Sequence, residues 1–328
     1  MTECKKWAPL ALAIFLISAV TADAGEPLRI AVTSSLDQSS QPSYLHLPDD
    51  YDRDDAPRPL LVALHSWSAD LEQANPELAE LANQRGWIVL RPNFRGPNDR
   101  PQACGSELAQ RDILDAVNWV GKRHRVDPDR VYLTGNSGGG HMTMLMVGKY
   151  PDVWAAASAW VGISDLAAWH DRHATARYGE MLRQVCGGRP GDSLEVDRQY
   201  RQRSPLTHLH NAVAVPLDIA AGVHDGHRGS VPIRHSLDAF NVIATAAGGA
   251  TISPVEIAQL SRPEGRLESP LASDRVTDPA WGRAIYLRRH AAAARVTIFE
   301  GGHEGIATAA VDWLERHQRS PRAAVDVD

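Results

Sequence analysis

The sequence predicts a single α/β domain built on a mainly parallel, doubly wound sheet. Three observations carry that reading. From Pro59 onward, short apolar runs recur along the chain. Segments of helical character lie between them, and strands that alternate with helices imply parallel pairing with helices on both faces. The chain has 328 residues, 43% of them hydrophobic, which suffices for a substantial core, and it carries no internal repeat.

Taken in order, Lys5 and Lys6 precede the apolar stretch Ala8 to Val20, and Ala22, Asp23 and Ala24 follow in an A-x-A pattern. This reads as a secretory signal over residues 1–24, too short for a membrane span, with cleavage after Ala24 and an uncleaved anchor as the alternative. The stretches LRIAVTSS and SYLHLP then read as edge strands leading into the acidic turn DDYDRDDAPRP. The strand candidates that follow are PLLVALHSW, GWIVLRPNF, RVYLTGNS, WAAASAWVGIS, PLDIAAGVHD and VTIFEGGH. Between them, LEQANPELAELANQRG, SELAQRDILDAVNWVGKRH, GGGHMTMLMVGKYP and IRHSLDAFNVIATAAG read as helices.

Two interruptions break the alternation. Residues 165–212 are too long for a plain crossover and read as a helical cap insertion. Residues 253–281, rich in Pro, Ser and charge, read as a surface excursion, after which AIYLRR forms a hairpin with ARVTIFE.

The net charge of -6 gives no reason to expect nucleic acid as a partner. Removal of residues 1–24 takes away Cys4 and leaves Cys104 and Cys186, an even pair in an exported chain, so a disulfide between them is expected. Neither has a second cysteine or a histidine at ligand spacing, so no metal is expected; His224 and His227 lack a third ligand, and no cofactor is implied.

Gly135, Asn136, Ser137, Gly138 and Gly139 form G-x-S-x-G after an apolar run and before a helical segment. That is the strand-turn-helix elbow that holds a nucleophilic serine in a strained backbone, with small flanking residues because strand and helix pass close together. A serine hydroxyl needs a base oriented by an acid, and in this architecture both follow later strands in the order serine, acid, histidine. Asp225 in GVHDG and His303 in GGHEG satisfy that order. Asp165 is a rival acid at the end of GISD, whereas Asp218 lies at a strand start. His224 and His227 are too near the acid to come from a separate loop, His141 reads as a helix-start residue, and His65 ends a strand. The oxyanion donors are read as the backbone N–H of Gly138 together with that of Ser66 or Trp67.

From about Pro59 to Gln318 the chain resembles the α/β-hydrolase catalytic domain of the prolyl oligopeptidase family. The resemblance rests on the HSW loop, DPDRVYLTGNSGGGHM, RSPL, HDGHRGSVPIRHS and GGHEG. It implies an α/β-hydrolase fold and a Ser137, Asp225, His303 triad. The roughly thirty-five residues between Ala24 and Pro59 are too few for a propeller blade, so no propeller is expected. The loop NFRGPNDRPQACG also departs from the family's more usual tyrosine-arginine-glycine form.

The expected activity is that of an exported, secreted or periplasmic serine hydrolase that cleaves a small ester or peptide substrate and, after signal cleavage, has no stable membrane association. A carboxylesterase acting on polysaccharide acyl groups uses the same chemistry, and a catalytically inactive binding protein is the alternative of a different class. The cap aromatics Trp169, Tyr178 and Tyr200 and the arginines Arg172, Arg177, Arg183, Arg198, Arg201 and Arg203 read either as a pocket for an acidic substrate group or as exposed faces paired with Asp171, Glu180 and Glu195; the second reading is preferred.

Overall fold

A computed structural model describes residues 27–319, so the expected signal at residues 1–24 and Cys4 lie outside the described residues. The apolar runs become strands of one sheet: β1 (Leu28–Thr33), β2 (Ser40–His46), β3 (Arg58–Leu64), β4 (Ile88–Pro92), β5 (Val126–Asn136), β6 (Ala156–Trp160), β7 (Leu217–Gly222), β8 (Ile285–Ala291) and β9 (Ala294–Phe299). Their order across the sheet is β1-β2-β4-β3-β5-β6-β7-β9-β8. The central pairs from β4 to β9 are parallel. Antiparallel strands close both edges, β1 and β2 on one side and the hairpin partner β8 on the other.

The helices are α1 (Pro76–Asn83), α2 (Glu107–Arg123), α3 (Gly138–Lys149), α4 (Leu166–Arg172), α5 (Arg177–Cys186), α6 (Leu194–Arg203), α7 (Arg234–Ala246), α8 (Pro254–Leu260) and α9 (Ala307–Glu315). One face of the sheet packs under α2, α3 and α7 around Ile113, Leu145 and Phe240, which are fully buried. The other packs under α1 and α9 through Leu78, Val311 and Leu314. Helix α1 is shorter than its apolar pattern. Asn75 ends it on the N-terminal side by accepting from the Leu78 N–H, and Pro76 occupies the first turn, where its missing N–H costs nothing.

The stretch between β6 and β7 holds α4, α5, α6 and two short 3₁₀ turns. These helices share an apolar cluster, with Trp169, Leu182, Cys186 and Tyr200, that also takes in Trp67 from the loop after β3 and Cys104 from the loop after β4. The excursion before β8 contains α8 and a 3₁₀ turn and is tied down by Arg289, which pairs with Asp274 and Glu256.

One expectation is corrected. Cys104 and Cys186 are both free and buried, so the bridge between them is not formed. Burial pushes the Cys186 thiol up to about 12, and burial likewise raises Cys104, so both stay protonated and pack as small apolar groups. The tie expected of a disulfide is supplied by Arg203 instead. Its buried guanidinium donates from the cap to the carbonyls of Pro101, Ala103 and Cys104 at 2.9 to 3.1 Å.

Candidate active site

Parallel pairing brings the C-terminal ends of β5, β7 and β9 to one edge, and the three candidate catalytic residues sit just past them. Ser137 holds φ 57° and ψ -114°, in the left-handed half of backbone space where a residue with a side chain is strained. Its N–H donates to the Trp160 carbonyl at 2.9 Å. Sterics explain the glycines around it: a Cβ on Gly135 would lie 2.5 Å from Gly139, and one on Gly138 would lie 2.3 Å from the Trp67 nitrogen. Side chains there would force strand, helix and β3 loop apart.

Asp225 is buried, with no exposed side-chain surface. Its Oδ1 accepts from the backbone N–H groups of Gly226 at 2.9 Å and Val231 at 3.1 Å. Its Oδ2 lies 2.7 Å from Nδ1 of His303, whose ring is 27% exposed. That bond assigns the proton to Nδ1 and leaves Nε2 free to accept one. Ser137 and His303 form no hydrogen bond with each other among the described residues. Their loops nevertheless meet, because Gly305 lies so close to Asn136 that a Cβ on the glycine would fall 2.5 Å from the amide oxygen.

The rival residues have other work. Asp165 caps α4, accepting from the N–H groups of Ala167 and Ala168. Asp218 is buried against Arg295 at 2.8 Å. His141 is fully buried and bonds the Arg203 carbonyl, and His65 sits between the carbonyls of Ser66 and Asn93. His227 bonds the Ser261 carbonyl.

The oxyanion alternatives separate geometrically. The Ser66 N–H is already donated to Gln73 Oε1 at 2.6 Å. The N–H groups of Trp67 and Gly138 make no hydrogen bond among the described residues, and the two backbones touch. The carbonyl of the same peptide as the Trp67 N–H, that of Ser66, accepts from Ala69 N–H at 3.3 Å and lies 3.0 Å from His65 Nδ1, which fixes the peptide's orientation. Two free N–H groups on backbones this close, beside Ser137, could receive an anion.

A further set of residues around the edge had no sequence signal. His224 Nε2 bonds Glu300 Oε1 at 2.7 Å, joining the loop of Asp225 to that of His303. The second Glu300 oxygen accepts from Tyr286 at 2.5 Å, and these partners hold its carboxyl below the usual range. On the other side of His303, Glu304 accepts from Gly302 N–H at 3.1 Å and pairs with Arg283 at 2.6 Å. Gly229 packs directly against the hydrogen-bonded pair: a Cβ there would meet Asp225 Oδ1 at 2.2 Å and His303 Cβ at 2.8 Å.

The cap side chains mostly serve the fold. Trp169 and Tyr200 are buried, and Trp169 stacks edge-on to Trp67 at 4.6 Å. Arg198 pairs with Glu195, Arg183 donates to the Ala174 carbonyl and Arg172 to that of Gly226. Among the described residues no group of His, Cys, Asp and Glu could hold a metal ion, and no helix is long and apolar enough to cross a membrane.

Comparison with known proteins bears on the family and the fold. A profile described as the prolyl oligopeptidase family matches residues 75–252. Dipeptidyl aminopeptidase BIII of Pseudoxanthomonas mexicana is 32% identical over 215 residues, 61% of this chain and 30% of that protein. Feruloyl esterase B of Thermothelomyces thermophilus is 29% identical over 132 residues, 37% of this chain and 44% of that one. The chain thus matches less than half the length of these relatives. Among solved structures, a puromycin-hydrolyzing peptidase of Mycobacterium tuberculosis aligns with a TM-score of 0.59 at 20% identity, over 88% of this chain and 38% of that one. Such likenesses identify the fold as that of the α/β-hydrolases.

Proposed function

The chain belongs to the prolyl oligopeptidase family, and on that premise we propose that it is a serine hydrolase cleaving an ester or peptide bond through an acyl-enzyme on Ser137. In this reading Ser137 Oγ attacks the substrate carbonyl while His303 Nε2 takes its proton. Asp225 holds the ring in the required tautomer and stabilises the imidazolium. The N–H groups of Gly138 and Trp67 receive the developing oxyanion. His303 then returns its proton to the leaving group, and water releases the acyl group by the same steps in reverse order. The observation that carries the reading is the 2.7 Å bond between His303 and the buried Asp225, at the strand edge that also holds the strained Ser137.

Both bond types remain within this chemistry, since the relatives include a dipeptidyl aminopeptidase and feruloyl and acetylxylan esterases. We favour activated short-chain esters, because the ester has the better leaving group and the departures from the peptidase pattern lie in recognition loops. The esterase relatives support acyl groups on polysaccharides as the substrate class within that reading. The N-terminal charge, apolar run and A-x-A pattern support export from the cytoplasm.

Fluorophosphonate labelling followed by matched ester and amide substrates tests the proposal. Ser137→Ala should lose labelling and turnover with its fold intact; labelling retained in that variant would place the nucleophile elsewhere. Efficient dipeptide amide cleavage with negligible ester turnover would overturn the ester preference.

A further inference from the structure

Behind the catalytic edge, on the face covered by α1 and α9, lies a cavity of about 640 Å³, a volume typical of small-molecule sites. Leu71, Leu78, Ile306 and Ala310 give it apolar walls, and Arg91 stands among them. It is separate from the triad but adjoins it, since Asn136 and Gly305 also line it.

Arg91 is the informative residue. It donates to the carbonyls of Leu71 and Gln73 and contacts His46 Nε2 at 3.4 Å, while its Nε is buried with no partner among the described residues. No carboxylate pairs with it there. Glu72 acts on it only at longer range and is held by the Tyr44 hydroxyl, and Glu80, also on the cavity wall, is bonded to Gln84. His46 adds no charge at neutral pH, because burial and the Arg91 cation push it down to about 4. The cavity therefore combines an apolar body with a guanidinium that lies over the Tyr44 ring at 5.0 Å but has no carboxylate in direct contact among the described residues, and a half-buried cation without a contacting counter-ion is costly unless a ligand supplies one.

From this cavity the geometry points to a second binding site, for a monocarboxylic acid with an apolar body, whose carboxylate pairs with Arg91 while its chain lies between α1 and α9. Carboxylic acids are also what ester or peptide hydrolysis releases, so the ligand class overlaps the products of the proposed reaction. The binding itself does not depend on that reading.

The test is calorimetric titration of octanoate and, as a neutral match, octanamide into the Ser137→Ala protein, which removes turnover. Octanoate should bind saturably and octanamide about tenfold more weakly or worse, the difference expected for a charge-assisted pair. Arg91→Gln should erase the difference between the two ligands. Ala79→Phe, which fills the cavity from α1 and leaves Arg91 in place, should weaken both. Equal affinity for octanoate and octanamide in the Ser137→Ala protein, absence of saturable binding, or octanoate affinity untouched by Ala79→Phe would each overturn the proposal. Loss of labelling at Ser137 is read separately and bears only on the hydrolase assignment.

Discussion

Replacing Gly229 by alanine probes how tightly the acid and base must be held. Gly229 lies outside the left-handed region, so the substitution adds a methyl group without imposing backbone strain. That carbon would arrive 2.2 Å from Asp225 Oδ1, 2.8 Å from His303 Cβ and 3.1 Å from Asp225 Cγ. Non-bonded carbon contacts settle near about 3.5 Å, so the carboxylate, the ring or the 226–231 loop must move by about 1 Å. The carboxylate cannot move freely, because its Oδ1 also accepts from Gly226 and Val231. The 2.7 Å bond to His303 is the contact that gives way. A misplacement of that size costs about 10²-fold in kcat, rising toward ~10⁴ if the wrong imidazole tautomer is populated. Overpacking should cost about 1–3 kcal/mol of stability. The assay is kcat on p-nitrophenyl acetate together with the rate of fluorophosphonate labelling, with a thermal melt to verify folding. Gly302→Ala is the control: it lies next to His303, yet a Cβ there meets nothing within 4 Å, and it should leave kcat within about threefold. If Gly229→Ala also kept kcat within that margin, the contact would not constrain the catalytic pair.

Glu300→Gln should lower kcat by less than about tenfold with little change in KM, since it loosens an exposed tie between two catalytic loops rather than a reacting group. Because Tyr286 and His224 hold the Glu300 carboxyl below its ordinary value, that tie persists above the usual carboxylate range and is lost as pH falls through the depressed value; a kcat ratio between wild type and Glu300→Gln that stayed constant down through that range would contradict it. Burial pushes His141 down to about 4 and His235 to about 3, so the folded state keeps both neutral. The unfolded chain takes up those protons first, and stability present above about pH 6.5 should fall toward pH 4, by about 3 kcal/mol for His141 alone. Urea midpoints between pH 7 and pH 4.5 measure this, and His141→Gln should flatten the slope; an unchanged slope would contradict the assignment.

The elbow was legible in the sequence because its requirements are local. Gly135 is set by its contact with Gly139 across the turn, even though Gly138 and Gly139 also answer to the backbone at the end of β3, and the apolar runs around them repeat at the spacing a buried parallel sheet imposes. Asp225 and His303 were legible for a related reason: chain order fixes which loops follow which parallel strands. What tertiary structure alone decided were the pairings between loops far apart in the chain. Chain order does not say that Gln73 occupies the Ser66 N–H and leaves Trp67 as the free donor, or that Gly229 fills the last space beside the acid. His224 and Glu300 are 76 residues apart, and nothing in either local pattern reports their contact. The cysteines show the same limit. Their even count in an export context suggested a covalent tie, but the bond requires a specific approach of two sulfurs that composition does not encode, and Arg203 makes the tie by reaching three backbone carbonyls instead. Backbone periodicity acts over a few residues and can be read along the chain, whereas these contacts arise only where folding brings distant loops to the same edge of the sheet.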